Sequence, residues 1–293
     1  MTESRFALLD ERGILAIAGD DRASFLQGLV SNDTARISGE NAVYAALLTP
    51  QGKYLHDFIM IEAGGAIWLD GETARLADLK RRLSMYRLRA KVTLDERPDL
   101  AVAAVFGGSP LDLPDRAGAA QVFGDGVALV DPRLAALGER VIVPRDQIRS
   151  VLKQWGVVET DFAEYDRLRL SLGVPDGSRD LVLDKSILLE SGFDELNGID
   201  WNKGCYIGQE LTARTKYRGL IKKRLFPVRI DGPAPEPGAL VMLDGREAGE
   251  MRSNRDGLGL ALLRLEAVEK HGKLSTGDGV LEPVTPGWMR LPE

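Results

Sequence analysis

Residues 203–210 read Lys-Gly-Cys-Tyr-Ile-Gly-Gln-Glu, and Cys205 is the only cysteine in 293 residues. A lone cysteine forms no intramolecular disulfide, so any chemistry it does is done as a thiol. Between Trp201 and Arg224 stand seven basic residues (Lys203, Arg214, Lys216, Arg218, Lys222, Lys223, Arg224) and one acid, Glu210, in a chain of net charge −6. Cationic neighbours and a helix N-terminus both favour the thiolate. The run Gln209–Lys216 reads as that helix, with Glu210 in its first turn. Gly204 and Gly208 give the backbone freedom needed where a chain turns sharply or a ligand approaches closely. The plain alternative is that an unpaired cysteine packs as a small hydrophobe. The setting favours nucleophilic attack or metal ligation over inert packing. The basic run is open in the same way, between a solvated face and an anion site for a polyanionic ligand tail or a partner's acidic surface.

Two other places could do chemistry. His56-Asp57 stands on an apolar strand after a glycine turn; an imidazole oriented by a carboxylate is an acid/base pair, and a half-exposed strand edge is the other reading. Glu190, in Leu-Leu-Glu-Ser-Gly-Phe, either recognises a pair of ring N–H groups or faces solvent. The chain has no phosphate-binding loop, no dinucleotide fingerprint, no zinc-protease helix and no nucleophile elbow. Two histidines and one cysteine do not furnish a protein-only structural zinc site, so no resident metal is expected. One cysteine cannot hold an iron–sulfur cluster alone, although it can be a single ligand to a cluster shared with a partner.

The elements that must position these residues follow from periodicity. Gly13–Ala18 is an apolar strand, and Asp20 or Asp21 can cap a helix with Phe25, Leu26, Leu29 and Val30 on one face. A turn at Thr49-Pro-Gln-Gly-Lys leads to a strand through Phe58, Met60 and Ile61, and Gly64-Gly65 turns it back into Ile67-Trp68-Leu69. A helix from about Thr73 carries Leu76, Leu79, Leu83 and Tyr86. Strands are expected at 91–94, 100–106, 127–130 and 140–143, with 107–126 as loop. Asp146 can cap a helix that Gly156 ends, and Thr160 starts another with Phe162, Tyr165, Leu168 and Leu172 inward. Residues 174–200 show weak periodicity. Beyond 225, short apolar runs at about ten-residue spacing predict a small β-barrel or sandwich.

The length predicts two or three domains, and 44% hydrophobic with 28% charged residues is ordinary for a globular protein. The N-terminus lacks the basic flank and apolar stretch of a signal peptide, and no apolar run is long enough to span a bilayer. With one cysteine, the reducing cytoplasm is the expected compartment, without a membrane association. The acidic balance argues against direct nucleic-acid binding.

Lys203–Glu210, continuing as Leu-Thr-Ala-Arg-Thr-Lys-Tyr-Arg-Gly, resembles the signature of the folate-binding YgfZ family, whose mitochondrial relatives are iron–sulfur cluster assembly factors. The runs FLQGLVSND, LLTPQGKYLHDF, RLRLSLGVPDG and AGEMRS…LGLALLR extend the likeness along the chain. The family in turn resembles the aminomethyltransferase (T-protein) of the glycine cleavage system. The resemblance implies an α+β fold: a three-domain T-protein-like ring with a central folate-binding hole and a C-terminal small β-barrel. It divides the chain into 1–50 plus 158–222, a folate-binding domain carrying the cysteine motif; 51–157, a ferredoxin-like domain; and 223–293, the barrel. Carried over by position, Tyr165 matches an aromatic that stacks on tetrahydrofolate and Glu190 the pterin-reading glutamate, with Leu188 in place of a proline. Arg12 falls where some members place a second aromatic contact. His56-Asp57 falls on the T-protein's paired aspartates, of which only the second remains. The T-protein lacks the cysteine octet, and both differences argue against ordinary glycine-cleavage activity.

The expected function is therefore a tetrahydrofolate-binding factor for the assembly or repair of iron–sulfur clusters. Cys205 would be the reactive thiol, Lys203 and Arg214 would lower its pKa, and Tyr165, Glu190, Arg12 and Arg214 would hold the folate. Its partners would be iron–sulfur client enzymes or cluster carrier proteins, and the protein itself a monomer or weak dimer. The rivals are a folate-dependent aminomethyltransferase or demethylase using Asp57, and a non-catalytic adaptor in which Cys205 is a shared cluster ligand.

Overall fold

The structure is a computed structural model that describes residues 3–270 and 272–291. The chain divides into two compact units: one runs to Leu48 and includes His56–Tyr165 and Asn197–Ile207, and the other comprises Thr49–Leu55, Asp166–Leu196 and the chain from Gly208 on.

The first unit opens with β1 (Arg5–Leu8), β2 (Arg12–Ala18), α1 (Arg22–Gln27) and β3 (Val43–Leu48). It continues through β4 (Tyr54–Ala63), β5 (Ala66–Glu72), α2 (Leu76–Met85), β6 (Thr93–Glu96) and β7 (Leu100–Phe106). Then come β8 (Ala120–Phe123), β9 (Gly126–Val130), β10 (Glu139–Pro144), α3 (Ile148–Gln154) and the short β11 (Val158–Glu159). These strands form two sheets, a five-stranded one in the order β3-β4-β5-β2-β6 and a six-stranded one in the order β11-β1-β7-β10-β9-β8. Gly64 and Gly65, with φ of +57° and +74°, make the two-residue turn between β4 and β5 that the sequence predicted. The helix expected from Thr73 is α2 after a single 3₁₀ turn, and it lays Leu76, Leu79 and Leu83 inward. A Cβ on Gly13 would come within 2.9 Å of the Leu76 side chain, so the glycine lets α2 lie close on β2.

Several expectations need correction. α1 ends at Gln27, so Leu29 and Val30 are buried in the turn after it rather than on the helix. Asp21 occupies the N-cap position of α1 but its carboxylate accepts from the Lys91 backbone N–H instead of capping. Gln147, not Asp146, stands at the cap of α3, although Gly156 does close that helix at φ +72°. The stretch 107–126 contains β8, an edge strand that a period-two reading misses because it is short and exposes Val122. The core against the six-stranded sheet is built on Phe6, Val105, Leu111, Phe123, Val141 and Leu152. Glu139, on β10, is buried beside this core, and burial pushes its pKa up to about 7 against an opposing contact from the Leu111 backbone.

α4 (Phe162–Leu172) carries the chain out of the first unit. In the second unit follow α5 (Gly177–Asp180), α6 (Gln209–Tyr217), β12 (Lys223–Asp231), β13 (Leu240–Leu243), β14 (Arg246–Arg255) and β15 (Leu258–Arg264). The chain ends through α7 (Leu265–Glu269), β16 (Leu274–Thr276) and β17 (Gly279–Pro283), and strands β12 to β17 close into the predicted barrel in the order β12-β15-β14-β13-β16-β17. Phe226, Val228, Val241, Met251, Ala261 and Leu263 fill it. The inward face of α4 differs from its apolar pattern: Leu168 and Leu172 are only half-buried, whereas Asp166 and Arg169 are fully buried. Arg169 donates to Asp166 (2.6 Å), Asp180 (2.8 Å) and Ser253 (2.8 Å), tying α4, α5 and β14 together. Burying such a charge requires partners on every side, and apolar periodicity does not register them.

Candidate functional site

The cysteine motif is held by its lysine. The Lys203 ammonium is buried and donates to three backbone carbonyls, of Gln27 (2.8 Å), Val30 (2.6 Å) and Asn32 (2.8 Å). Those carbonyls belong to the last residue of α1 and the turn that follows, where the helix has ended and supplies no further N–H donors. An ammonium with three donors on a flexible stem fits such a converging set. Burial pushes Lys203 down to about 8, while Asp33 and Asp200 act against that shift. Asp200 accepts from the backbone N–H groups of Asn202 and Lys203, and the Ile207 N–H donates to Gly28 O. Ser31 Oγ donates to Gly198 O, and Asn32 Nδ2 to both Asn197 O and Tyr44 O. The segment is thus fastened before and after Cys205, which is itself exposed, as is Gly204. The small-hydrophobe reading does not hold. The expected role of Lys203 also changes, because its charge is committed to the three carbonyls and it acts by positioning the loop.

A second cluster lies in the same unit. Its members form an alternating buried chain of charges: Arg12 pairs with Asp70 (2.8 Å), Asp70 with Arg140 (2.6 Å), Arg140 with Asp131 (3.0 Å), and Asp131 with Arg133 (2.7 Å). Asp70 sits mid-strand in β5 opposite Ile14, so strand alternation brings it beside Arg12 two residues earlier on β2. Arg140 reaches it from β10. Burial disfavours the Asp131 carboxylate, yet the Arg133 and Arg140 charges prevail and hold its pKa well below the usual range. The Tyr165 hydroxyl accepts from Arg133 (3.3 Å) and Arg140 (3.4 Å), and its ring lies against Phe106 and Phe162. Tyr44 donates to Asp57 (2.9 Å) under the Arg133 guanidinium, and burial followed by the Asp57 charge raises the phenol pKa. Tyr165, Arg12 and Asp57 are therefore brought together by one ionic network. Arg12, however, is spent on Asp70, whose side chain and backbone oxygen it both contacts, and is not an exposed stacking surface.

His56 and Asp57 do not form a mutual pair. Consecutive strand residues face opposite sides of the sheet: Asp57 meets Tyr44, while His56 Nε2 lies 3.0 Å from Asp78 on α2. Asp78 is also held by Arg81 and Arg82. Burial, then the Arg75 charge, pushes His56 down to about 4. The unfolded imidazole titrates near 6.5, so between about 6.5 and 4 the unfolded state binds the extra proton. Stability from this site is present above that window and lost as pH falls through it, by about 3 kcal/mol in all. Denaturant unfolding at pH 7 and pH 5 should show about 2 kcal/mol of that loss in the native protein, and His56→Gln should flatten it; an unchanged slope would refute the assignment.

The remaining predicted residues lie in the second unit. Glu190 is half-buried on a 3₁₀ turn (Leu188–Ser191), and its side chain accepts no hydrogen bond among the described residues. Burial raises its pKa against the opposing charges of Lys223 and Lys53. A desolvated carboxylate without donors suits a ligand's N–H pair. Arg214 is exposed on α6, which starts at Gly208 with φ +84°. Gly52 packs on that start: a Cβ there would lie 3.1 Å from Gly208 O and 3.3 Å from Thr212 Oγ1. Sequence reasoning missed Tyr44, Asp70, Asp131, Arg133 and Arg140. The available signal was a charge at an inward phase of an apolar strand, as in Ile-Trp-Leu-Asp and Glu-Arg-Val-Ile-Val.

Residues 222–291 match the family model described as CAF17, C-terminal beta-barrel domain. The chain is 36% identical over 304 residues to the mouse protein named "Iron-sulfur cluster assembly factor IBA57, mitochondrial", covering 96% of this chain and 84% of that one. It is 37% identical over 307 residues to the human protein of the same name, with the same coverage. Among solved structures it is similar to the glycine cleavage system aminomethyltransferase T from Bartonella henselae, with TM-score 0.78 and 15% identity over 97% of this chain and 85% of that one. The T-protein-like fold with a closed C-terminal barrel is thereby established. The cytoplasmic expectation is overturned, since these relatives are named as mitochondrial. A single unpaired cysteine tells a reducing compartment from an oxidising one, but not one reducing compartment from another. With more than a third of its residues identical to these relatives over nearly its whole length, the chain belongs to the IBA57 family.

Proposed function

We propose that this protein is an iron–sulfur cluster assembly factor that binds tetrahydrofolate and works through the thiol of Cys205. The observation that carries the reading is the loop: a single exposed cysteine on a segment pinned by a buried lysine, in a chain akin to relatives named as assembly factors. A pinned, solvent-facing thiol can reach a cluster or sulfur species on a partner while keeping one geometry. The partners are iron–sulfur client enzymes or the carriers that supply them. Their cluster is cargo, and among the described residues no group of three or more His, Cys, Asp or Glu could hold a metal ion.

Glu190 suits the folate best, as a half-buried carboxylate with no internal donor. In the first unit Tyr165 is buried and accepts from Arg133 and Arg140, and Arg12 serves by holding Asp70. When bound, the folate supplies a one-carbon carrier. The protein's own part is to read the pterin with Glu190 and to keep Asp57 buried against Tyr44.

Cys205→Ala should leave the unfolding midpoint within experimental error and abolish the protein's support of client-enzyme activity in a strain that depends on it; unchanged client activity would eliminate the thiol. Calorimetry with tetrahydrofolate tests the cofactor separately. Glu190→Gln should weaken binding by about tenfold, the cost of one charged hydrogen-bond pair. The absence of heat with the unaltered protein would remove folate from the reading.

A further inference from the structure

The helix that follows the cysteine motif turns an unusual combination of side chains to solvent. At about 100° per residue, Glu210, Leu211, Arg214, Tyr217 and Arg218 fall within about 120° of the circumference of α6, so one acid shares the face with the basic and apolar residues. These residues are exposed, while Thr212 is buried and Ala213, Thr215 and Lys216 are half-buried. Leu220 and Lys222, also exposed, continue this surface into the turn before β12. Tyr217 is 72% exposed, Leu220 49% and Leu211 38%, so three large apolar side chains stand out of the fold within ten residues.

The charges divide in the same way. Lys216, on the inner side, is neutralised by Asp194 at 2.9 Å, and Arg224, fully buried, by Glu195 at 2.8 Å. Arg214, Arg218 and Lys222 have no acid within salt-bridge distance among the described residues. Glu210 is the one exposed acid on the face, and what sets the face apart from a solvated one is that Leu211, Tyr217 and Leu220 stand among its charges. Tyrosine and arginine around exposed aliphatics is the composition of a protein interface.

We propose that Leu211, Arg214, Tyr217, Arg218, Leu220 and Lys222 form a docking surface for an acidic protein partner. The occupant follows from the chemistry. Three cations outside any salt bridge, against the single exposed acid Glu210, in a chain of net charge −6 select an acidic face and steer its approach. Two exposed leucines need apolar counterparts, which a phosphate backbone does not offer. A second copy meeting this face through a two-fold axis would set its own cations against one another. Six residues are well short of the roughly 20–30 per side of a stable interface, so the contact is a transient one. The inference goes beyond the thiol reading and does not depend on it, since Cys205→Ala leaves this surface intact.

The test replaces Tyr217 by benzoylphenylalanine in the full chain, with the same probe at Val122, exposed in the first unit, as the control position. After irradiation in cells of the native host, the adduct is identified by mass spectrometry, and its partner is purified and titrated against the unmodified protein. The expected result is an acidic protein cross-linked at position 217 and not at 122. Its Kd should weaken about tenfold between about 50 and 300 mM salt, and again about tenfold in Arg214→Glu/Arg218→Glu. The circular dichroism melt of that variant should be unchanged, and an Arg214→Lys/Arg218→Lys variant should retain most of the affinity. An adduct with nucleic acid, an adduct with a second copy, no adduct above the Val122 control, or a Kd indifferent to the charge reversal each overturns the proposal.

Discussion

Asp70→Ala should cost about 3–5 kcal/mol of stability, the largest effect of any single side chain outside the apolar cores. Asp70 is fully buried in β5 and stands between Arg12 and Arg140, which bind its two carboxylate oxygens at 2.8 and 2.6 Å. Its removal takes the Asp70 carboxylate from both Arg12 and Arg140. A buried guanidinium that loses a carboxylate partner cannot shed its proton to escape the cost. The change also reaches the candidate ligand residues, because Arg140 donates to Tyr165. Guanidinium unfolding curves for the native protein and for Asp70→Ala, Asp70→Asn and the double variant Asp70→Ala/Arg12→Met measure this directly. The double variant should recover part of the loss, since it removes one stranded charge along with its partner. A loss below about 1 kcal/mol in Asp70→Ala would show that water reaches the network and that its ion pairs carry little.

Lys203→Met should produce the second large effect, a loss of about 2–4 kcal/mol, from three stranded carbonyls and a missing charged donor. The side-chain volume is nearly kept, so the loss reports hydrogen bonding rather than a cavity. Arginine should not rescue it, because a planar fork cannot converge on the oxygens of Gln27, Val30 and Asn32 as an ammonium does. Cys205 offers a readout that needs no further substitution. A nitroxide on the only thiol of the chain should give an immobilised spectrum in the native protein and a mobile one in Lys203→Met. If label mobility were the same in both, Lys203 would stabilise the fold without positioning the loop. The distinction matters for the proposed function, in which a fixed thiol geometry is what a partner meets.

These two residues also mark how far the sequence could be read. Lys203 was visible as part of a motif, but its charge was expected to act on the neighbouring thiol. The structure turns it away, into a turn 171 to 176 residues earlier in the chain. Adjacency in sequence implied a through-space effect that the backbone geometry directs elsewhere. Asp70 carried only a faint signal, one acid in the apolar run Ile-Trp-Leu-Asp, because its meaning depends on Arg140, seventy residues away on another sheet. His56 and Asp57 invite an acid/base reading because they are consecutive, beside that of a half-exposed strand edge, and strand alternation separates consecutive residues.

By itself the sequence determined the elements whose causes are local. The Gly64-Gly65 hairpin, the inward leucines of α2, the glycine stop after α3, the α6 start after Gly208 and the closely spaced strands beyond Lys223 all follow from backbone permissiveness and side-chain period. Together with the octet around Cys205, these were enough to indicate the fold. The tertiary structure decided what each charge does. It exposed Cys205, buried Lys203, Arg12 and Arg169 among their partners, and left Arg214, Arg218 and Lys222 to solvent. The physical reason is that a charge's role is set by what surrounds it after folding, by its desolvation and by the partners brought to it from distant strands. None of these is written in the few residues on either side.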